Sequence, residues 1–203
     1  MTLTEDRPLV AGIPAPRRAM IDSQLRTSGV NDPAVLAAFA RVAREDHVPD
    51  ALKATCHIDR ALPLGGGRYL AAPVVHGMML AEAAPSGGDK ALLISGGSTY
   101  LAALLRPMVG SLEVIDADDA AKARGVFSLL VIDGAVEALP PALANALAEG
   151  GRVITGLVER GVTRLAAGRK VGGEVTLLPL AEVGMPVLPQ FAVPKGWSFG
   201  AWR

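Results

Sequence analysis

Lys90-Ala-Leu-Leu-Ile-Ser-Gly-Gly-Ser-Thr-Tyr100 is the stretch on which the reading of the fold turns. A short apolar run, Lys90–Ile94, ends on a turn of small residues, and a helical pattern then runs from Ser98 to about Pro107. The alternation continues downstream. Leu112–Asp116 reads as a second strand and Val126–Asp133 as a third; Pro140–Ala148 reads as a helix closed by Gly150-Gly151, and Arg152–Leu157 as the next strand. Strands that alternate with helices imply an α/β protein with a mostly parallel, doubly wound sheet. Two further strand-like runs, near Gly161–Leu165 and Glu174–Leu180, follow without a helix between them, which predicts an antiparallel edge.

Upstream the pattern is helical. Residues 1–16 hold Pro8, Pro14 and Pro16 with little periodicity and read as a flexible arm before a single domain over 17–203. Met20, Ile21 and Leu25 fall at helical spacing, and Gly29 is a fitting stop. Asp32-Pro33 opens a second helix, with Asp32 as cap and an apolar stripe of Val35, Leu36, Phe39 and Val42. A short helix from Pro49 to about Thr55 leads to the loop Leu62-Pro-Leu-Gly-Gly-Gly67, and a helix carrying Met78, Met79 and Leu80 follows Pro73.

Composition narrows the function classes. Twenty basic residues balance twenty acidic ones, so no global field draws the chain to nucleic acid or an anionic membrane. Arg17-Arg18 reads as a solvated helix start. The single cysteine, Cys56, excludes an intrachain disulfide, which fits a cytoplasmic location, and reads as a small buried side chain. No apolar run approaches the roughly 20 residues that cross a bilayer. His47, His57 and His76 share no metal-ligand spacing, so no metal is expected. His57 and Asp59 would share a face if they stood on a strand, and a structural or substrate-side role suits them. The apolar ending Phe191–Phe199 is expected to pack on the domain.

In a doubly wound sheet, ligands bind beyond the carboxyl ends of the strands, near the point where strand order reverses. The turn Ser95-Gly96-Gly97-Ser98-Thr99-Tyr100 stands at such an end. Its glycines would let a ligand approach the backbone. Asp116 ends the second strand, where a carboxylate can accept from both hydroxyls of a ribose or simply cap the next helix.

With these features in place, several ordered motifs resemble the protein-L-isoaspartate O-methyltransferase family from about residue 17 to 185. They are Met20-Ile-Asp-Ser-Gln-Leu-Arg26, Asp32-Pro33, Val48-Pro49, His57-Ile-Asp59-Arg-Ala-Leu-Pro-Leu-Gly-Gly-Gly67 and Ala148-Glu-Gly-Gly-Arg-Val153. The resemblance implies a Rossmann-like class I methyltransferase fold, S-adenosylmethionine as cofactor, and methyl transfer to the α-carboxylate of isoaspartyl peptides in protein repair. It implies cofactor contacts at Ser95, Gly96, Gly97, Ser98, Tyr100 and Asp116. It also implies substrate-side positions at Tyr69, Ala72, Pro73, Asp133, Gly134 and Ala135, and a catalytic region at Ala71 and Asp59.

Three departures stand against that pattern. The family's active-site loop reads Gly-Gln-Thr-Ile-Ser-Gln-Pro, whereas this chain has Gly67-Arg-Tyr-Leu-Ala-Ala-Pro73, with Ala71 in place of the serine. Neither Ala71 nor Ala72 can donate a side-chain hydrogen bond. The family's cofactor loop, Glu-Ile-Gly-Thr-Gly-Ser-Gly-Tyr, becomes Leu93-Ile-Ser-Gly-Gly-Ser-Thr-Tyr100, and β-branched Thr99 is poorly suited to a positive φ. Only ten residues separate Asp116 from Phe127, too few for the helix–strand–helix that the family carries there. The sheet is therefore expected to lack one adenine-side strand, with a short helix over 117–123 instead. Losing a few hydrogen bonds of roughly 1 kcal/mol each predicts about tenfold to a thousandfold weaker cofactor binding, or none. The strand 112–116 becomes an open edge that a second copy of the chain could cover. Two functions follow from the residues: a methyltransferase of reduced activity, or a non-catalytic pseudoenzyme that binds a peptide or protein partner or forms a structural dimer.

Overall fold

A computed structural model describes residues 12–193. Most of the expected arm, and the tail with Trp197 and Phe199, therefore lie outside the described residues.

Helix α1 (Ala15–Met20) begins two residues before the expected start, because Pro16 sits in its first turn, where no backbone donor is needed. The helical run continues through a wide π-turn at Ile21–Leu25 and a tight 3-10 turn at Arg26–Ser28, and stops at Gly29 with φ of 86°. Helix α2 (Pro33–Arg41) is capped by Asp32, whose carboxylate accepts from the N–H groups of Ala34 and Val35. The expected Leu62–Gly67 loop is instead half of a hairpin. Strand β1 (Leu62–Gly65) pairs antiparallel with β2 (Arg68–Leu70) across Gly66-Gly67, both at positive φ. Two adjacent glycines supply the left-handed turn that a tight hairpin needs. Helix α3 (Pro73–Ala83) follows.

The main sheet is built from β3 (Lys90–Ser95), β4 (Ser111–Asp116), β5 (Phe127–Val136), β6 (Leu147–Glu159), β7 (Val162–Val171) and β8 (Glu174–Glu182), in the order β4-β3-β5-β6-β7-β8. Helix α4 (Tyr100–Leu105) joins β3 to β4, and α5 (Pro141–Ala146) joins β5 to β6. The first four strands are parallel; β7 and β8 are antiparallel additions, as the missing helix between them predicts. Only a 3-10 turn, Ala117–Lys122, connects β4 to β5, so among the described residues β4 is an edge strand and no adenine-side strand stands beside it.

The apolar strand runs are explained by burial on both faces. In β3, Ala91 and Leu93 enter the core shared with α1–α4, while Leu92 and Ile94 enter the core on the opposite face. In β5, Leu129 and Val131 alternate in the same way with Leu130 and Ile132. Parallel strands covered by helices on both sides lose the polar alternation of a half-exposed strand. No helix among the described residues is long and apolar enough to cross a membrane.

Two expectations are corrected at the ends of elements. Helix α5 stops at Ala146 rather than Ala148, and Gly150 at φ 74° belongs to an irregular stretch of β6. Lys170 Nζ donates to the carbonyls of Ala144 and Leu147 (2.9 Å each), which satisfies the last turn of the helix from a distant strand. Arg17 is no solvated start. It is buried and donates to Ala40 O (3.2 Å) and to Glu45 Oε1 (2.6 Å).

Asp89, 4% exposed, is the node at the start of β3. Its carboxylate receives the Ser86 N–H and hydroxyl, the Ser128 hydroxyl and Arg152 Nη2 (2.8 Å). Burial pushes its pKa up, but those donors outweigh burial and hold it below the ordinary aspartate value. A carboxyl with a depressed folded pKa stabilises the fold above its unfolded pKa, and that contribution is lost as pH falls through the folded value. Asp89→Ala is expected to lower the unfolding free energy at pH 7 by about 2–4 kcal/mol. In urea unfolding, the gap between variant and wild type is expected to narrow as pH drops from 5 towards 2; a gap that does not change with pH would contradict the assignment.

Candidate functional site

The site lies past the carboxyl ends of β3, β4 and β5. The sheet order changes direction at β3, with β4 on one side and β5 on the other, which opens the crevice. The register Ser95↔Asp116 brings the ends of β3 and β4 level, so the glycine turn and the strand-end acid stand side by side.

Side chains within the turn stabilise it. The Gly97 N–H donates to Ser95 Oγ (3.1 Å), and the Ser95 hydroxyl donates to Ser98 O (3.2 Å). The Tyr100 N–H donates to Ser98 Oγ (3.1 Å), which ties buried Ser98 to the first residue of α4. Gly97 carries the positive φ, 104°, whereas Thr99 has φ −87°. The substitution at Thr99 is therefore no backbone obstacle, and its hydroxyl lies 2.7 Å from His47 Nδ1. Burial lowers the pKa of that imidazole.

The Tyr100 side chain is fully buried, edge-on to Phe39 and beside the rings of His47 and His76, so it is a pillar of the core. Burial raises its phenol pKa strongly.

Five of the expected residues meet around one small cavity: Tyr69, Ala71, Gly96, Asp133 and Gly134. It measures about 20 Å³, room for roughly one water. The segment 185–188 closes it. The Ala135 N–H donates to Pro186 O, the Leu188 N–H donates to Ala135 O (2.9 Å each), and the Leu188 side chain rests on Gly96 and Gly134. Ala135 is buried beneath this strap. Asp133 is joined to His76 Nε2 at 2.8 Å, and both side chains are inaccessible to solvent; its Oδ2 has no hydrogen-bond partner.

Other expected residues lie apart. Asp59 is exposed and accepts from the Val74 N–H (3.3 Å) in the first turn of α3, which Pro73 opens behind buried Ala72. Asp59 and Ala72 border a separate surface hollow with Val74 and Met78. His57 and Asp59 stand on a bend, not on a strand, and His57 turns to Glu45 Oε2 (3.3 Å) and Cys56 Sγ (3.3 Å). Glu45, Cys56 and His57 thus offer three donor atoms within 4.8 Å of one another, a grouping that spacing gave no hint of. Arg17 already neutralises Glu45, and burial lowers the His57 pKa and raises that of the Cys56 thiol, so the cluster reads as a brace for the N-terminal helices.

Arg68 and Arg44 were not singled out by the sequence. Arg68 Nη2 stands 3.7 Å from Asp116 Oδ2, and the other Asp116 oxygen accepts from the Asp118 N–H. Arg44 is fully buried and donates to Cys56 O and Ala71 O (2.6 Å each). Sequence pattern hides both, Arg68 on strand β2 and Arg44 in a 3-10 turn, because a long basic side chain can run outwards or inwards from the same position.

The family model described as Protein-L-isoaspartate(D-aspartate) O-methyltransferase (PCMT) matches residues 16–122, more than half of the chain. A protein-L-isoaspartate O-methyltransferase from Koribacter versatilis is 30% identical over 83% of this chain and 88% of its own length. The chain belongs to the protein-L-isoaspartate O-methyltransferase family. A family relative from Methanoculleus marisnigri is 28% identical over 90% of this chain and 94% of its own. The fold agrees with a protein-L-isoaspartate O-methyltransferase from Plasmodium falciparum solved in complex with S-adenosyl-L-homocysteine: TM-score 0.70, 18% identity, covering 86% of this chain and 98% of that one. The sheet is thus the family's Rossmann-like α/β fold, shortened on one side.

Gly96 tests how tightly the turn is built. A Cβ there would stand 2.1 Å from the Asp133 carbonyl oxygen, whereas at Gly87 it would meet nothing within 4 Å. Gly96→Ala is expected to cost about 3 kcal/mol or more, by forcing β3 and β5 apart, and Gly87→Ala to stay within about 0.5 kcal/mol of wild type. Thermal unfolding of the two variants checks the contrast.

Proposed function

We propose that this chain is an S-adenosylmethionine-dependent methyltransferase of the isoaspartyl carboxyl type, with cofactor affinity well below that of an intact site. The observation that carries the reading is the level placement of the Gly96-Gly97 turn and Asp116 at the ends of adjacent parallel strands. The groups present suit the cofactor. The glycine turn offers bare backbone, and Asp116 offers a partly exposed carboxylate to a ribose.

When bound, the cofactor supplies an electrophilic methyl group on a sulfonium, and a carboxylate is already ionised at neutral pH. The protein's part is therefore placement. Ala71 brings no hydroxyl to that task, which leaves the 41%-exposed Tyr69 at the cavity wall as the donor to a substrate carboxylate. A peptide must lift the strap at 185–188 or the hairpin β1–β2 to enter, because a cavity of about 20 Å³ is too small to hold one.

A second reading is favoured by two observations: the serine position is Ala71, and the Arg68 side chain covers Gly97 of the turn. In that reading the chain is a non-catalytic module that grips peptides or a protein partner in the same cleft. The open edge β4, with Val114 40% exposed, gives either reading a surface for a homodimer, which sedimentation across micromolar concentrations would reveal or exclude.

The deciding experiment is calorimetric titration with S-adenosylmethionine, followed by a methyl-ester assay on an isoaspartyl peptide. Binding in the micromolar to high-micromolar range, abolished in Asp116→Ala, is expected. Methyl transfer is expected to fall about tenfold in Tyr69→Phe. No heat up to millimolar ligand would remove the methyltransferase reading and leave the binding module.

A further inference from the structure

We propose that Arg68 is the residue that sets cofactor affinity in this chain, as an internal competitor for the ribose position of the cleft; the proposal rests on the methyltransferase reading of that site. Two contacts place it there. The aliphatic stem of Arg68 lies against the bare face of Gly97. A Cβ on that glycine would stand 2.6 Å from both Cγ and Cδ of Arg68, and 2.8 Å from its Cβ. The guanidinium then extends to Asp116, with Nη2 3.7 Å from Oδ2. One side chain thus spans the glycine turn of β3 and the terminal acid of β4.

A ribose diol needs both features that Arg68 engages. Its hydroxyls would donate to Asp116, but Oδ1 already accepts from the Asp118 N–H and Oδ2 faces the guanidinium. Its ring would approach the Gly97 backbone, where the arginine stem lies. A ligand must therefore displace Arg68 before it gains its own contacts, and its apparent affinity is reduced by the fraction of molecules in which the cleft is closed.

The competition is a weak one that a ligand can win. The Arg68 side chain is 56% exposed and that of Asp116 40%, so the ion pair is solvated and screened by salt. Arg68 also sits directly after the Gly66-Gly67 turn of a two-strand hairpin, which can let the side chain swing out without unfolding the sheet. Screening gives the proposal a signature that a packing role would lack. Raising the ionic strength weakens the Arg68–Asp116 pair and frees the acid for the ligand.

The test is calorimetric titration of S-adenosylhomocysteine, which carries no net charge at neutral pH, into wild type, R68A and R68K at low and high salt. R68A is expected to bind about fivefold tighter than wild type at low salt. R68K, which keeps a charge and a stem, is expected to stay near wild type. Wild-type affinity is expected to rise with salt while that of R68A stays level. Equal affinity of wild type and R68A, or the same salt slope in both, would overturn the proposal. So would absence of binding to either up to millimolar ligand. The methyl-ester assay separates this from the function itself: tighter binding by R68A with no methyl transfer sustains the role of Arg68 and removes the enzyme reading. Unchanged binding with methyl transfer does the reverse.

Discussion

The buried guanidinium of Arg44 is the constraint on which the site depends. A cation taken fully out of water is costly unless it is compensated. Arg44 donates from Nε and Nη2 to Cys56 O and Ala71 O, its Nη1 has no hydrogen-bond partner among the described residues, and the guanidinium lies 4.9 Å above the ring of Tyr100. Burial works against its charge, and the neighbouring Tyr100, Cys56 and Asp133 work for it. Three separate parts of the chain are tied at this point: the stretch after α2, the loop that ends the β1–β2 hairpin, and the first residue of α4. The wall of the cavity at Ala71 and the helix behind the glycine turn are thereby held in one frame.

On that frame, packing contacts have taken places that would otherwise be open to polar ones. Ala71 lines the cavity with a methyl group, Leu188 covers Gly96 and Gly134, and Arg68 covers Gly97. Several of the polar groups that remain are turned inwards: His76 bonds to Asp133 in the interior, and Ser95 and Ser98 hydrogen-bond to their own turn. The shortened link between β4 and β5 belongs to the same trend. It leaves β4 at the edge and takes one wall from the cleft, while the register that aligns Ser95 with Asp116 is kept. The strand-end crevice of the fold persists here, with much of its wall made of small and apolar groups.

The sequence was legible where a rule is local. Apolar runs separated by helical patterns announced the parallel strands, and the absence of a helix after residue 157 announced the antiparallel pair β7 and β8. Ten residues between Asp116 and Phe127 were enough to exclude a further strand, because a crossover cannot be shorter than its geometry. It was less legible where two readings share one local pattern. Gly65-Gly66-Gly67 read as a loop and is a hairpin turn; Gly150-Gly151 read as a helix stop and lies within β6. Glycine marks a permissive backbone without saying which structure uses it.

The sequence by itself therefore determined the α/β class, the alternation of strands and helices from β3 onwards and the strand-end positions of Gly96, Gly97 and Asp116, since periodicity and turn residues act over a few positions. The order of its motifs carried the resemblance to the family. The tertiary structure alone decided what those positions face. His76 and Asp133 are 57 residues apart, and nothing local records that they meet. Arg68 could as well have pointed to water, and Tyr100 could as well have lined the cleft as supported it. Long side chains and distant pairs take their direction from the packing of separate elements, and that packing exists only once the chain has folded.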